Sequence, residues 1–571
     1  MTKFRTGRLG SAICVLVLLA SASLDALAAS QRSATVGSAG AGIASGITCE
    51  QLGKADISAA VGAGTRITRT TQAAPANGGH YCVVEGTISS EIRFEVRLPT
   101  SGWTGRYLQT GCGGLCGSLD IRVEHADNCA PVTQHQVVLA STDMGHSGPG
   151  GQWAERNPAA RADFGYRGVH LTAVASRALI TAYYGQPPRY SYFSGCSDGG
   201  REALIEAQRY PEDFDGIAAG APALNFTVQN SFYHAWNALS NSDKDGNAIL
   251  EAAQLPLLHA AVVQACDGLD GVRDGIIEDP RNCRFDPVAL QCAAGANAPD
   301  CLTAAQVEAA RKIYAGAHDA QGTKLVMAGP MPGSELSWTG VFVPAKPGAP
   351  IMSRTYASDT LRYLAYESPL PAAWSLNDFE FTEAALRSFK LRGLYDATNP
   401  DLSAFKRRGG KLLMWHGWSD PHISPINSIG YYEAVARQMG TRSVQSFARL
   451  FLIPGFYHCS GGEGPAQFDV ISALMDWVEN GKSPEVLQLN SERTADRPDN
   501  IARPLYPYPD KAQRVAEAPV GQTGAYRRVK GGIASRPLDW AGAHFFTSDY
   551  ELKCDSGMPS QCAGQAISAQ H

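Results

Sequence analysis

Past Ala20 the chain has no apolar run long enough to cross a bilayer, which takes about 20 consecutive apolar residues. It also lacks a surplus of basic charge. Acidic residues number 54 against 49 basic ones, a formal net charge of −5. No basic stripe is present, which argues against nucleic acid or an anionic membrane as partner. The acidic loop Asp267–Asp274 lacks EF-hand spacing, and the glycine-rich run Gly111–Gly117 is not followed by the Lys-Ser/Thr pair that closes a phosphate-cradling loop. What is present at the N-terminus is a basic start (Lys3, Arg5, Arg8), an apolar stretch from Ala12 to Ala20, and the small residues of Ala26-Leu27-Ala28. That pattern predicts a signal peptide over 1–28, too short in its apolar part to act as an anchor. Ile13 before Cys14 argues against lipoprotein processing. Cleavage takes the formal charge from −5 to −7, since three basic residues and one acidic residue leave with it. Cys14 is one of fourteen cysteines, so thirteen remain, which in an exported protein predicts several bridges and one thiol left over. The expected destination is the periplasm or the medium.

The run Ser194-Gly195-Cys196-Ser197-Asp198-Gly199-Gly200 has the G-x-S-x-G form of a nucleophile elbow. Strand-like Tyr190–Phe193 precedes it and helix-like Arg201–Gln208 follows. A strand, a sharp turn and a helix would hold the Ser197 hydroxyl proud of a sheet edge, and the flanking glycines suit a crowded turn. An ordinary Gly/Ser loop is the alternative, because the pentapeptide is short. A serine nucleophile needs a base, and that base needs a carboxylate to orient it. The strand-like Lys411–Gly417 leads to Asp420, and the strand-like Ala448–Pro454 leads to His458. The order Ser, Asp, His is that of α/β-hydrolases, with all three just past strand C-termini on one rim. His416 falls too early in its strand to serve as base, and His422 follows directly on the acid. Cys196 adjoins the nucleophile and Cys459 the base; a bond between them would preorganise the pair, coincidence being the alternative.

The Gly-rich run Gly111–Gly117 follows a strand-like segment, where hydrolases place one oxyanion-hole N–H. Asp198 is expected to give one such N–H from its backbone and Cys112, beside Gly113, the other. His146, in the rim loop Thr142–His146, is read as structural or substrate-facing. Asp267, Asp270 and Asp274 lie at short, glycine-spaced intervals, which suits a hard cation, although a solvated acidic turn has the same composition.

Gly195–Arg201, Trp418-Ser419-Asp420 and His458-Cys459 together closely resemble the tannase/feruloyl esterase family, as do Tyr210–Ile217, Ala219–Pro222 and Gly462–Pro465. The resemblance spans about Cys49 to Pro509. It implies a serine esterase acting on esters of aromatic acids, hydroxycinnamic or gallic-type, through an acyl-enzyme. It implies the pairs Cys196–Cys459, Cys49–Cys82, Cys266–Cys283 and Cys292–Cys301, while proximity alone suggests Cys554–Cys562. Cys112, Cys116 and Cys129 stay unassigned. It further implies a structural calcium in the lid, held by Asp267, Asp270 and Asp274 with the carbonyls of Val272 and Ile276. The family includes a terephthalate half-ester hydrolase, but that enzyme's lid arginine has no match here around 365–381. Ile423 also stands where that enzyme has an aromatic residue. Both departures favour a phenolic ester. A peptidase and a non-catalytic envelope binding protein are the remaining alternatives.

Strand-like runs separated by helical patterns predict an α/β-hydrolase fold with a mostly parallel sheet. The first catalytic part is expected over 29–222 and the second over 406–514. Between them, 223–405 changes to loops, short helices and cysteine clusters, the expected lid. Residues 515–571 form an extension with no functional reading, and the oligomeric state is not legible.

Overall fold

The computed structural model describes residues 42–74, 78–89, 91–296, 298–491, 502–515, 523–546, 552–554 and 562–564. The expected leader lies outside them. A nine-stranded sheet organises the chain: β1 (Arg66–Ala73), β2 (Tyr81–Ile88), β3 (Ile92–Pro99), β4 (Arg106–Thr110), β5 (Val137–Thr142), β6 (Tyr190–Cys196), β7 (Gly216–Gly220), β8 (Lys411–Gly417) and β9 (Ala448–Ile453). Their spatial order is β1-β2-β3-β5-β4-β6-β7-β8-β9. The first three strands and β5 pair antiparallel, and every pair from β5 to β9 is parallel. This is the α/β-hydrolase fold, with a mostly parallel sheet.

Burial follows the pairing. β1, at the edge, has only exposed and half-buried residues, whereas β7 and β9 are buried along their whole length. Parallel strands covered on both faces need apolar residues on both, and β8 supplies them by simple alternation. Leu412 and Met414 join one core, and Leu413 and Trp415 join the other. Helices Gly168–Tyr184 and Asp198–Arg209 follow β5 and β6, and Val470–Asn480 lies against β7 and β8.

No strand of this sheet comes from the segment between β7 and β8. That insertion is built of short helices around its own core, in which Leu258, Val307, Ile313, Trp338 and Phe342 pack together. Its helix Ala304–Ala315 opens on a capping box from Thr303, which satisfies N–H groups that the first turn would otherwise orphan. Disulfides Cys266–Cys283 and Cys292–Cys301 close loops within it. Toward the C-terminus, Trp540 and Phe545 are buried in the main core, so that segment packs on the sheet domain. Cys554 and Cys562 face each other in backbone register across a two-stranded ladder, their side chains lying outside the described residues.

The rim of the sheet is closed by glycine contacts. A β-carbon on Gly111 would lie 2.5 Å from the Gly199 α-carbon, and one on Gly200 would lie 2.3 Å from the Gly220 carbonyl oxygen. Gly111→Ala is therefore expected to force apart the loop after β4 and the helix after β6, at a cost of about 1–3 kcal/mol. A thermal melt of the variant unchanged from the wild type would contradict this packing.

Candidate active site

At the end of β6 the backbone turns sharply into a helix. Ser197 has φ 64° and ψ −119°, a left-handed φ that a residue with a β-carbon adopts only under strain. Three hydrogen bonds hold it there. Its N–H donates to Gly220 O at 3.0 Å, and its carbonyl accepts from Arg201 N at 3.1 Å and Ala223 N at 3.0 Å. The Asp198 side chain turns inward to a buried ion pair with Arg201, Oδ1 to Nε at 2.6 Å and Oδ2 to Nη2 at 2.9 Å. Arg201 in turn donates to Gly165 O and Phe164 O. Helix Asp198–Arg209 is pinned by this network, so the N–H groups of its first turn keep a fixed direction.

Asp420 lies in the turn after β8, fully buried. Its Oδ1 accepts the N–H of His422 at 2.8 Å and of Ile423 at 3.0 Å. Its Oδ2 accepts from His458 Nδ1 at 2.6 Å and lies 3.1 Å from His416 Nε2. Burial alone would push this carboxyl up. The His458 charge and the hydrogen bonds from His416 and His458 outweigh it and hold Asp420 well below the usual carboxylate range. The two groups beside His416 Nε2, Asp420 Oδ2 and Ile423 O, are both acceptors, so Nε2 carries the proton and Nδ1 accepts from the Ser428 hydroxyl at 2.7 Å. His416 thus sits buried behind the acid as its second histidine partner. His422 lines the cavity with its ring 4.4 Å from that of His458. Burial, reinforced by the His458 charge, keeps it neutral. His146 is structural: Nε2 bonds Leu115 O at 2.6 Å and the ring stacks on Trp153.

A disulfide joins Cys196 to Cys459 across 263 residues, with the α-carbons 6.0 Å apart. It ties the residue before Ser197 to the residue after His458. Ser197 and His458 line one cavity of about 340 Å³. Behind the bridge, His125 donates from Nε2 to Cys459 O at 3.0 Å and stacks on Phe468. Burial brings its pKa down to about 4, so it stays neutral. Sequence reasoning missed this residue, for no motif links it to a position 334 residues away.

The Gly-rich loop forms the facing wall. It carries a Cys112–Cys116 disulfide, and Cys129 is a buried free thiol. Cys112 departs from the expected role: its N–H donates inward to Glu202 Oε1 at 3.1 Å and does not face the cavity. Burial, then the neighbouring Asp198 charge, pushes Glu202 well above the usual carboxylate range. Gly113 lines the cavity, and its N–H meets no acceptor among the described residues. The insertion contributes Met352 and Tyr356 to the wall.

In the acidic loop of the insertion, carboxylates cap backbone. Asp267 accepts from Asp274 N and Gly275 N, Asp270 from Val272 N, and Asp274 from Ile276 N. Burial raises both Asp270 and Asp274, against the pull of the Arg503 charge and the backbone N–H groups they accept from, with a smaller upward push from neighbouring carboxylates. Three carboxylates offering hard oxygen donors from one short loop are of the chemistry that suits a calcium ion. One oxygen from each of the three does not fall within 4.8 Å of the others, so they stand wider than a filled site holds them.

Residues 77–529 match the family described as tannase and feruloyl esterase. The chain belongs to that family. It is a carboxylic ester hydrolase, and its substrates are esters. It is 33% identical over 431 residues to a probable feruloyl esterase B-2 of Aspergillus flavus, a match covering 71% of this chain and 78% of that one. It is 32% identical over 502 residues to the mono(2-hydroxyethyl) terephthalate hydrolase of Piscinibacter sakaiensis, covering 76% and 82%. The crystal structure of feruloyl esterase B from Aspergillus oryzae superposes with a TM-score of 0.73 at 27% identity, over 84% of this chain and 100% of that one. Among the described residues no helix is long and apolar enough to cross a membrane.

Replacing Cys196 and Cys459 together by alanine is expected to lower stability by about 2–5 kcal/mol and to reduce kcat. Denaturant unfolding and ester turnover, measured side by side, check both parts. An unchanged kcat would show that the bridge does not position the base.

Proposed function

We propose that this esterase hydrolyses esters of hydroxycinnamic or gallic-type aromatic acids through Ser197, His458 and Asp420. The observation that carries the reading is the 2.6 Å contact from His458 Nδ1 to buried Asp420, beside a disulfide that ends next to a strained Ser197. With Nδ1–H held by the carboxylate, Nε2 is free to take the Ser197 proton as Oγ attacks the ester carbonyl. The developing oxyanion accepts the N–H of Asp198 and that of Gly113, which replaces Cys112 in this role. Collapse of the tetrahedral adduct sends the Nε2 proton to the leaving alcohol. Water, deprotonated by the same imidazole, then releases the acid.

The aromatic acyl group is supported by the names of relatives and by Met352 and Tyr356 on the insertion wall. A terephthalate half-ester is the second reading, favoured by the relative that carries that name. Against it, no arginine of the insertion lines the cavity among the described residues, and Ile423 is apolar. The insertion acts as a lid in this account. Export to an oxidising compartment fits five disulfides together with the N-terminal pattern.

Wild type is expected to turn over methyl ferulate, methyl gallate or chlorogenate faster than the terephthalate half-ester, with Ser197→Ala lower in kcat by on the order of 10⁶. Turnover of none of the phenolic esters would dismiss the acyl assignment, and full activity in the alanine variant would dismiss the nucleophile. We also propose that Asp267, Asp270, Asp274 and the carbonyls of Val272 and Ile276 hold a structural calcium. Chelation is then expected to lower the melting temperature, restored by added calcium; an unchanged melt would remove the site.

A further inference from the structure

In the second turn of helix Asp198–Arg209, Glu202 is 1% exposed and carries a carboxyl to which the mechanism above gives no part. Its Oε1 accepts the Cys112 N–H at 3.1 Å, and its Oε2 has no hydrogen-bond donor among the described residues. A β-carbon on Gly111 would lie 3.2 Å from that second oxygen, so the carboxyl is wedged against the glycine-rich loop. Asp198 flanks it, with an oxygen of each carboxyl within 4.8 Å of the other. Two bare anions do not share so dry a place, and Arg201 already neutralises Asp198. Glu202 is therefore the neutral partner, in line with the upward push of burial and of the Asp198 charge. As a neutral acid it has one oxygen for Cys112 and an O–H that Asp198 accepts.

One side chain thus touches both halves of the oxyanion hole, in which Asp198 gives one N–H and Gly113 the other. The Cys112 carbonyl packs on the same helix, 3.1 Å from where a β-carbon on Gly199 would stand. In a trans peptide the N–H points opposite to the C=O, which turns the Gly113 N–H away from the helix and into the cavity that Gly113 lines. The Gly113 carbonyl accepts the Cys116 N–H at 3.0 Å, and the Cys112–Cys116 disulfide fastens the loop to itself. Glu202 fastens it to the helix that carries Asp198.

We propose that Glu202 is a positioning residue for the oxyanion hole, binding the Cys112 N–H beside Asp198 so that the Gly113 and Asp198 N–H groups converge on one oxygen. The proposal rests on the serine-esterase reading above, but not on the identity of the acyl group.

The test compares wild type, Glu202→Gln and Glu202→Met on p-nitrophenyl acetate, with inhibition by phenylboronic acid as a second readout. Glutamine keeps one acceptor and one donor, whereas methionine fills a similar volume with neither. The boronate adduct on Ser197 is tetrahedral and anionic, so its affinity reports the oxyanion hole without turnover. Glu202→Met should lose kcat by about 10–100-fold with KM little changed, and should weaken phenylboronic acid in step. Glu202→Gln should recover most of both. Wild-type kcat and boronate affinity in Glu202→Met would overturn the role, as would a loss carried by KM or a glutamine variant as impaired as the methionine one. Rates are taken per folded molecule, from a melting curve on each variant. Glu202→Asp, one methylene short of Cys112, replaces the methionine variant if that one does not fold, and the same loss is expected. Ser197→Ala is run alongside. Full activity there dismisses the nucleophile and this role with it, whereas an inactive Ser197→Ala beside a fully active Glu202→Met overturns this role alone.

Discussion

A charged carboxylate with no exposure to water is tolerated only when its oxygens are paired, and Asp420 meets that demand four times over. Two backbone N–H groups of its own turn, the imidazole of His416 and the imidazole of His458 converge on it. Each partner has a structural consequence. The N–H bonds curl the chain after β8 into a tight turn. His416 ties that turn to Ser428 in the next helix, and His458 is left with one ring nitrogen committed and the other free. Remove the charge, and the turn, the tautomer of His416 and the orientation of His458 all lose their reference point.

The second constraint is the strain at Ser197. A left-handed serine persists because neighbours over-determine it: the Gly220 carbonyl, the Arg201 and Ala223 N–H groups, and a bridge from Cys196 to the histidine loop. Glycines at 111, 199, 200 and 220 let three chain segments approach more closely than any β-carbon would permit. Strain and close approach together fix the turn that places Ser197 in the cavity wall.

Work is divided between the sheet and the insertion. The sheet carries Ser197, Asp420 and His458 just past the ends of β6, β8 and β9, elements whose burial leaves them little freedom. The insertion, with a core of its own, supplies part of the wall. That wall can vary without disturbing the ends of β6, β8 and β9, and the family holds relatives named for feruloyl esters and for a terephthalate ester.

The sequence by itself determined which residues to propose as a triad, Ser197, Asp420 and His458, together with their chain order and the alternation of strands and helices, because these follow from local pattern and from what acyl transfer needs. The unbroken apolar run Leu412–Trp415 was enough to mark Lys411–Gly417 as a strand, and the cysteines beside Ser197 and His458 were legible as neighbours of the proposed nucleophile and base. Tertiary structure decided the direction of each polar group. Cys112 was a sound choice for the oxyanion from its place after β4, but a Glu202 carboxyl 90 residues away takes its N–H. The contact of His125 was equally invisible, since it arises where distant segments meet. Chain order is a one-dimensional property; the bearing of an N–H or a carboxylate depends on whichever partner the fold brings within 3 Å of it, and no local pattern encodes that partner.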